Sequence, residues 1–132
     1  MGVVVDTCVF IKAEKKDNTI DFKKWEQYGE FYISAITVSE LLVGTHLANT
    51  EVRRINRTSF VEAIIGNIKV LDITPAVARI HAGLYASLYK NGKVIGAHDL
   101  LIAATALTYG YSILTSNHSE FSRIPGLIVL SL

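Results

Sequence analysis

The sequence predicts an α/β protein, a three-layer α/β/α sandwich around a mostly parallel central sheet. Three observations lead there. Short apolar runs of strand length alternate with longer amphipathic stretches, with no long loop, repeat or low-complexity tract between them. The first run, 3–5, is three valines, which suits a central strand covered on both faces better than an exposed edge. The stretch 98–109 is apolar nearly all round, as a buried helix must be.

Taken in order, the first strand closes on Asp6, and Thr7, Cys8, Val9, Phe10 and Ile11 follow where a helix can start with Asp6 as its cap. From 17 to 28 charged residues alternate with Ile20, Phe22, Trp25 and Tyr28, predicting an amphipathic helix that Gly29 ends. Residues 31–34 read as the second strand. Residues 37–47 read as a helix with Val38, Leu41, Leu42 and Leu47 inward, and Thr37 with Glu40 has the spacing of a capping box. A further helix, 50–68, is basic at first and apolar later, and 69–73 is the third strand. Thr74 caps and Pro75 opens a helix running to 90, which Asn91 and Gly92 stop. A loop over 94–97 leads into the buried helix 98–109, closed by Gly110. The fourth strand is 112–115, a helical turn covers 117–121, and the last strand is 127–130.

At 132 residues the chain is expected to be one domain, 1–132, with a real core. Half its residues are hydrophobic and its mean hydropathy is +0.34, yet no run approaches the ~20 apolar residues of a membrane span. The start lacks the basic and apolar segments of a signal peptide, so a cytoplasmic protein with no membrane association is expected. A single cysteine, Cys8, excludes an internal disulfide and a thiolate zinc cage, and reads as a small core residue. The net charge of +1 names no partner. If Asp6, Glu40, Asp99 and Glu120 form one site, however, thirteen basic residues face eight remaining acids, a basic body around an acidic pocket.

Those acids are the candidate chemistry. Asp6 follows strand one, Glu40 lies on the helix after strand two, Asp99 starts the buried helix, and Asn117 with Glu120 follows strand four. Each alone has a capping explanation. Parallel strands, though, send their carboxyl ends to one edge, where α/β sheets bind ligands. Two carboxylates about 4 Å apart repel by about 4 kcal/mol at an effective dielectric of about 20, which a hard divalent cation relieves. An all-oxygen set suits Mg²⁺ (or Mn²⁺) with substrate phosphate oxygens.

The segments VVVDTCVF (3–10), ITVSELLVG (36–44), HDLLIAATAL (98–107) and ILTSNHSEFSRIPGL (113–127) together resemble the PIN domain family, and within it the VapC toxins of bacterial toxin–antitoxin pairs. The resemblance runs the length of the chain. It implies a PIN-like fold, a metal-dependent endoribonuclease that cuts structured RNA such as tRNA, a cognate antitoxin that blocks the site, and a homodimer. Asp6, Glu40 and Asp99 match the family's metal-binding acids. The chain departs from the pattern where relatives carry an acid at Asn117, an Asp at Glu120 or a basic residue at Ser116. In-line attack by a metal-activated water would leave a 5′-phosphate and a 3′-hydroxyl.

Thr7 and Thr115 are candidates for positioning acids or phosphate, with ordinary turn and cap roles as the alternative. Arg53, Arg54 and Arg57 are candidates for the RNA backbone, with a solvated face as the alternative. Phe10, Trp25, Tyr28 and Tyr32 read as core, or as a groove for a partner helix. Other chemistries remain open. A histidine-based ribonuclease would draw on His46, His81, His98 or His118, and a receiver-like module on Asp72. A PIN-type domain that has lost catalysis is the third alternative.

Overall fold

The computed structural model describes residues 1–17 and 19–132. Five strands, β1 (Gly2–Val5), β2 (Glu30–Ser34), β3 (Lys69–Leu71), β4 (Ser112–Thr115) and β5 (Val129–Ser131), form one sheet in the order β3-β2-β1-β4-β5. Every neighbouring pair is parallel, so the sheet is wholly rather than mostly so. The central position of β1 explains its composition. All four of its residues are buried, and side chains alternate between two apolar layers.

Val3 and Val5 join Ile33 and Leu114 under α1 (Thr7–Lys16), α2 (Ala35–His46) and α3 (Glu51–Asn67), which contribute Phe10, Leu41 and Ile64. Val4 points the other way. With its register partners Tyr32 and Ile113 it meets α4 (Pro75–Lys90) and α5 (Ala97–Tyr109) through Leu88, Leu100 and Ala103. A last short helix, α6 (His118–Phe121), adds Phe121 to this second layer.

Topology decides where the site lies. From β1 the chain runs outward to β2 and β3, then returns past β1 to β4. The carboxyl ends of β1 and β4 are therefore adjacent while their connections leave in opposite directions, which opens a crevice between them.

Three local expectations are corrected. The amphipathic helix expected over 17–28 does not form: α1 ends at Lys16, and only a 3-10 helix over Lys23–Tyr28 lies in that stretch. Asp17 Oδ1 accepts from Thr19 N at 3.1 Å, and Asp21 Oδ1 accepts from Lys23 N at 3.0 Å. These local turns compete with a helix and end it. Asn18, inside that expected helix, lies outside the described residues. The capping box of Thr37 and Glu40 does not form, because α2 begins earlier and is capped by Ser34, whose Oγ accepts from Ile36 N at 3.2 Å. Finally, β3 stops at Leu71, and β5 starts two residues later than expected.

Phe10, Trp25 and Tyr32 are buried, as the core reading had it, whereas Tyr28 is exposed, and Phe10 and Tyr32 lie in opposite layers rather than along one groove. Arg57 is a tie between helices. Its Nε donates to Glu14 Oε1 and its Nη1 to the Gly44 carbonyl, both at 2.9 Å, joining α3 to α1 and α2. Arg57→Met is expected to lower the unfolding free energy by about 1–2 kcal/mol, read as a lower urea midpoint at unchanged slope. An unchanged midpoint would show that the tie contributes nothing.

Candidate active site

Asp6 leaves β1 with its backbone N–H on the Leu114 carbonyl, 2.9 Å away, so β4 fixes the residue directly. It occupies the cap position of α1 but makes no side-chain cap bond. Instead Oδ2 accepts from Thr115 Oγ1 at 2.7 Å and from Cys8 Sγ at 3.0 Å. Thr115 is fully buried and its oxygen also accepts from Asn117 N at 2.9 Å. The hydroxyl proton is thereby directed at Asp6. Thr115 positions an acid, and burial keeps it from touching a substrate itself.

Glu40 is held in a similar way from the other side. Thr7 Oγ1 donates to Glu40 Oε1 at 2.8 Å and lies 2.9 Å from Thr37 Oγ1, and both threonines are buried. Release from the capping box, caused by the earlier start of α2, is what frees Glu40 for this contact. Its Oε2 lies 3.4 Å from His98 Nδ1 on the first turn of α5.

Glu120 is fastened by two donors, Asn117 Nδ2 at 2.7 Å to Oε2 and Gly96 N at 3.2 Å to Oε1. Asn117, at the cap position of α6, makes no side-chain cap bond. It therefore supports an acid where the sequence left a cap as the alternative.

Asp99 shows that these carboxylates face one another. Burial, followed by the charges of Asp6 and Glu120, a hydrogen bond with Glu120 and the charge of Glu40, pushes its carboxyl up to about 7. The positive end of α5, where Asp99 sits, favours its charged form. Repulsion and burial outweigh that help. The four predicted acids thus share one crevice at the β1/β4 switch point. Among the described residues no three acid, imidazole or thiol side chains stand in the close grouping of a ready-made metal cage. The donor set is all oxygen, and a hard ion of the Mg²⁺ kind completes its shell with water around one or two carboxylates.

Cys8 is the neighbour of Asp6 that sequence reasoning took for a core residue. Besides reaching Asp6, its sulfur accepts from Ser116 Oγ at 3.1 Å and Ser116 N at 3.5 Å. Burial pushes the thiol up, with the bond to Asp6 adding to it, so the proton stays on sulfur. Its place two residues after Asp6, on the first turn of a helix, was the available signal.

The arginines lie elsewhere. Arg53 bonds Asn49 Oδ1 and Arg54 pairs with Glu51, both exposed, while Arg57 is committed to Glu14 and Gly44. Of the three, Arg53 and Arg54 keep a solvent-facing charge. His98 faces Glu40 and His118 faces Ser122, so they do not pair with each other. Asp72 is exposed beyond the edge strand β3, away from the crevice.

The sequence profile of the PIN domain matches residues 3–127. The chain belongs to the PIN domain family. This PIN domain is 40% identical over 132 residues to Ribonuclease VapC1 of Rickettsia felis, covering 100% of this chain and 97% of that protein. It is 32% identical over 120 residues to a tRNA(fMet)-specific endonuclease VapC of Shigella flexneri, covering 91% and 88%. Its fold is similar to that of DNA-bound VapBC from Salmonella typhimurium, with a TM-score of 0.83, 27% identity and coverage of 99% and 98%. VapBC2 from Rickettsia felis, bound to a promoter DNA fragment, gives 0.87 at 24% identity, with coverage of 100% and 99%.

Asp99 also sets a pH dependence. Its folded-state value near 7 lies above the ordinary 3.8, so the folded protein holds more protons than the unfolded chain between those values. Stability contributed by this group falls as pH rises through that window, and the whole penalty is present above about pH 7. Asp99→Asn removes it. In metal-free protein the variant should match wild type near pH 4 and exceed it by about 1–2 kcal/mol at pH 8, after screening at this half-exposed group is allowed for. Melting curves across pH check this, and a gain independent of pH would contradict it.

Proposed function

We propose that this PIN domain is a metal-dependent endoribonuclease, the toxin half of a toxin–antitoxin pair, that hydrolyses phosphodiester bonds in structured RNA such as tRNA in the cytoplasm. The carrying observation is the convergence of Asp6, Glu40, Glu120 and Asp99, where the last is pushed up to about 7 by burial and its neighbours' charge. Kinship with proteins named ribonuclease and tRNA(fMet)-specific endonuclease supports the substrate class.

Asp6 and Asp99 would hold a Mg²⁺ or Mn²⁺ ion, with Glu40 and Glu120 beside them. When bound, such an ion lowers the pKa of a water and offers a counter-charge to the phosphate. The chain's own part is to keep the acids in place. Thr115 and Cys8 hold Asp6, Thr7 holds Glu40, and Asn117 with the Gly96 N–H holds Glu120. Glu40 Oε2, which Thr7 leaves free and which faces His98, would orient the attacking water or take its proton. The products are a 5′-phosphate and a 3′-hydroxyl.

Arg53 and Arg54 supply phosphate contacts away from the centre, and Arg57 keeps its structural role. An antitoxin is the proposed protein partner, in line with the structures of similar fold described as toxin–antitoxin systems or complexes. A hollow of about 790 Å³ beside α1 and α3, lined by Phe22, Phe31 and Phe60 above the buried Phe10, suits an apolar segment of such a partner. A homodimer is proposed with it. No helix among the described residues is long and apolar enough to cross a membrane.

Labelled tRNA incubated with the purified chain should be cut in Mg²⁺ or Mn²⁺, spared in excess chelator, and left with 5′-phosphate ends. Asp6→Asn should slow cleavage by at least about a hundredfold. Full cleavage in chelator, or cyclic phosphate ends, would replace this mechanism with imidazole chemistry. Reversing charge at Arg53 and Arg54 together should weaken RNA binding and reduce its salt slope by about one to two units. Unchanged affinity would return those residues to a solvated face.

A further inference from the structure

The shell around Asp6 holds an asymmetry that the proposed chemistry does not by itself require. Both side-chain donors, Thr115 Oγ1 at 2.7 Å and Cys8 Sγ at 3.0 Å, converge on the same oxygen, Oδ2. Among the described residues Oδ1 receives no side-chain hydrogen bond, and it is not an orphaned buried atom, so solvent reaches it although Asp6 is only 3% exposed. Each donor is itself oriented from behind. Asn117 N–H fills an acceptor site on Thr115 Oγ1, and Ser116 fills acceptor sites on Cys8 Sγ through its N–H and hydroxyl. The turn 115–117 thus reaches across the β1/β4 junction with two arms that close on one oxygen.

We infer that Cys8 is a positioning residue of the active site: with Thr115 it fixes the Asp6 carboxylate so that Oδ2 is occupied by protein donors and Oδ1 alone is presented to the divalent ion. The inference rests on the metal-dependent reading above. A carboxylate whose second oxygen is tied back binds through one oxygen and leaves room for water in the shell, which suits an ion that keeps several waters. Outer-sphere donors of this kind orient the ligand and are worth about 10–100-fold in metal affinity. Thr115 alone holds Oδ2 by a single bond, about which the carboxylate can still swing. Cys8 approaches from α1 while Thr115 approaches from β4, so the pair removes that freedom.

The test uses the full chain and two readouts. Calorimetric titration with Mn²⁺ should show about tenfold weaker binding in Cys8→Ala and recovery to within about threefold in Cys8→Ser, which restores a shorter but stronger donor at the same position. A residue that merely fills space would not be rescued by the hydroxyl. The chain has one cysteine, so its S–H stretching band in the infrared is unambiguous. That band should sit at lower wavenumber than a free thiol's and move up in Asp6→Asn. Equal Mn²⁺ affinity in wild type and Cys8→Ala, or a band at the free-thiol position, overturns the role of Cys8 while leaving the nuclease reading intact. Wild-type protein that takes up no Mn²⁺ overturns the nuclease reading, and this inference with it.

Discussion

Repulsion between carboxylates at the end of a buried strand is the constraint on which the rest of the molecule turns. A wholly parallel sheet in the order β3-β2-β1-β4-β5 brings the ends of β1 and β4 together, and the chain places acids there and on the adjoining helices. Asp99 registers the result, its carboxyl pushed up to about 7 by burial and by Asp6, Glu120 and Glu40. Folding alone does not favour such a cluster, since each added negative charge in a half-buried crevice opposes the next. In the proposed metal-dependent reading, a cation joining them would change the balance and tie stability to function at one place.

The surrounding structure supports this strained centre with short, directed hydrogen bonds. Thr7, Thr37 and Thr115 are buried hydroxyls: Thr7 bonds Glu40 and Thr37, and Thr115 bonds Asp6 while accepting from Asn117 N. No buried side-chain nitrogen or oxygen among the described residues is left without a partner. Polar groups this close to the core are tolerable because they are satisfied, and satisfied networks hold one geometry rather than many. Precision at the rim therefore depends on the apolar layers beneath it. Val4 with Tyr32 and Ile113 on one side, and Val5 with Leu114 on the other, set where the carboxyl ends emerge.

Much of this was legible in the residues. The three valines and the acid after them announced a central strand with a functional end, and the acids that converge are those the pattern named. The missing parts have physical causes. The helix starting directly after β1 was legible as a start at Asp6 but not in its extent, whereas the charged stretch beyond it mimicked helical spacing but is cut by Asp17 and Asp21 turns. Ser34 took the cap that Thr37 was expected to provide, a choice of one turn that local spacing does not settle. Arg57 read as a free cation because its partners, Glu14 and the Gly44 carbonyl, lie 43 and 13 residues away. Cys8 looked like core filler for a similar reason, since its contacts with Thr115 and Ser116 arise only when β4 docks beside β1.

An anomalous-scattering map of crystals soaked in Mn²⁺ addresses the central claim most directly. The account predicts one strong peak at the β1/β4 switch point, within coordination distance of Asp6 Oδ1 and an Asp99 oxygen. A map with no peak in that crevice, from crystals whose acids remain as close as they are here, would contradict it.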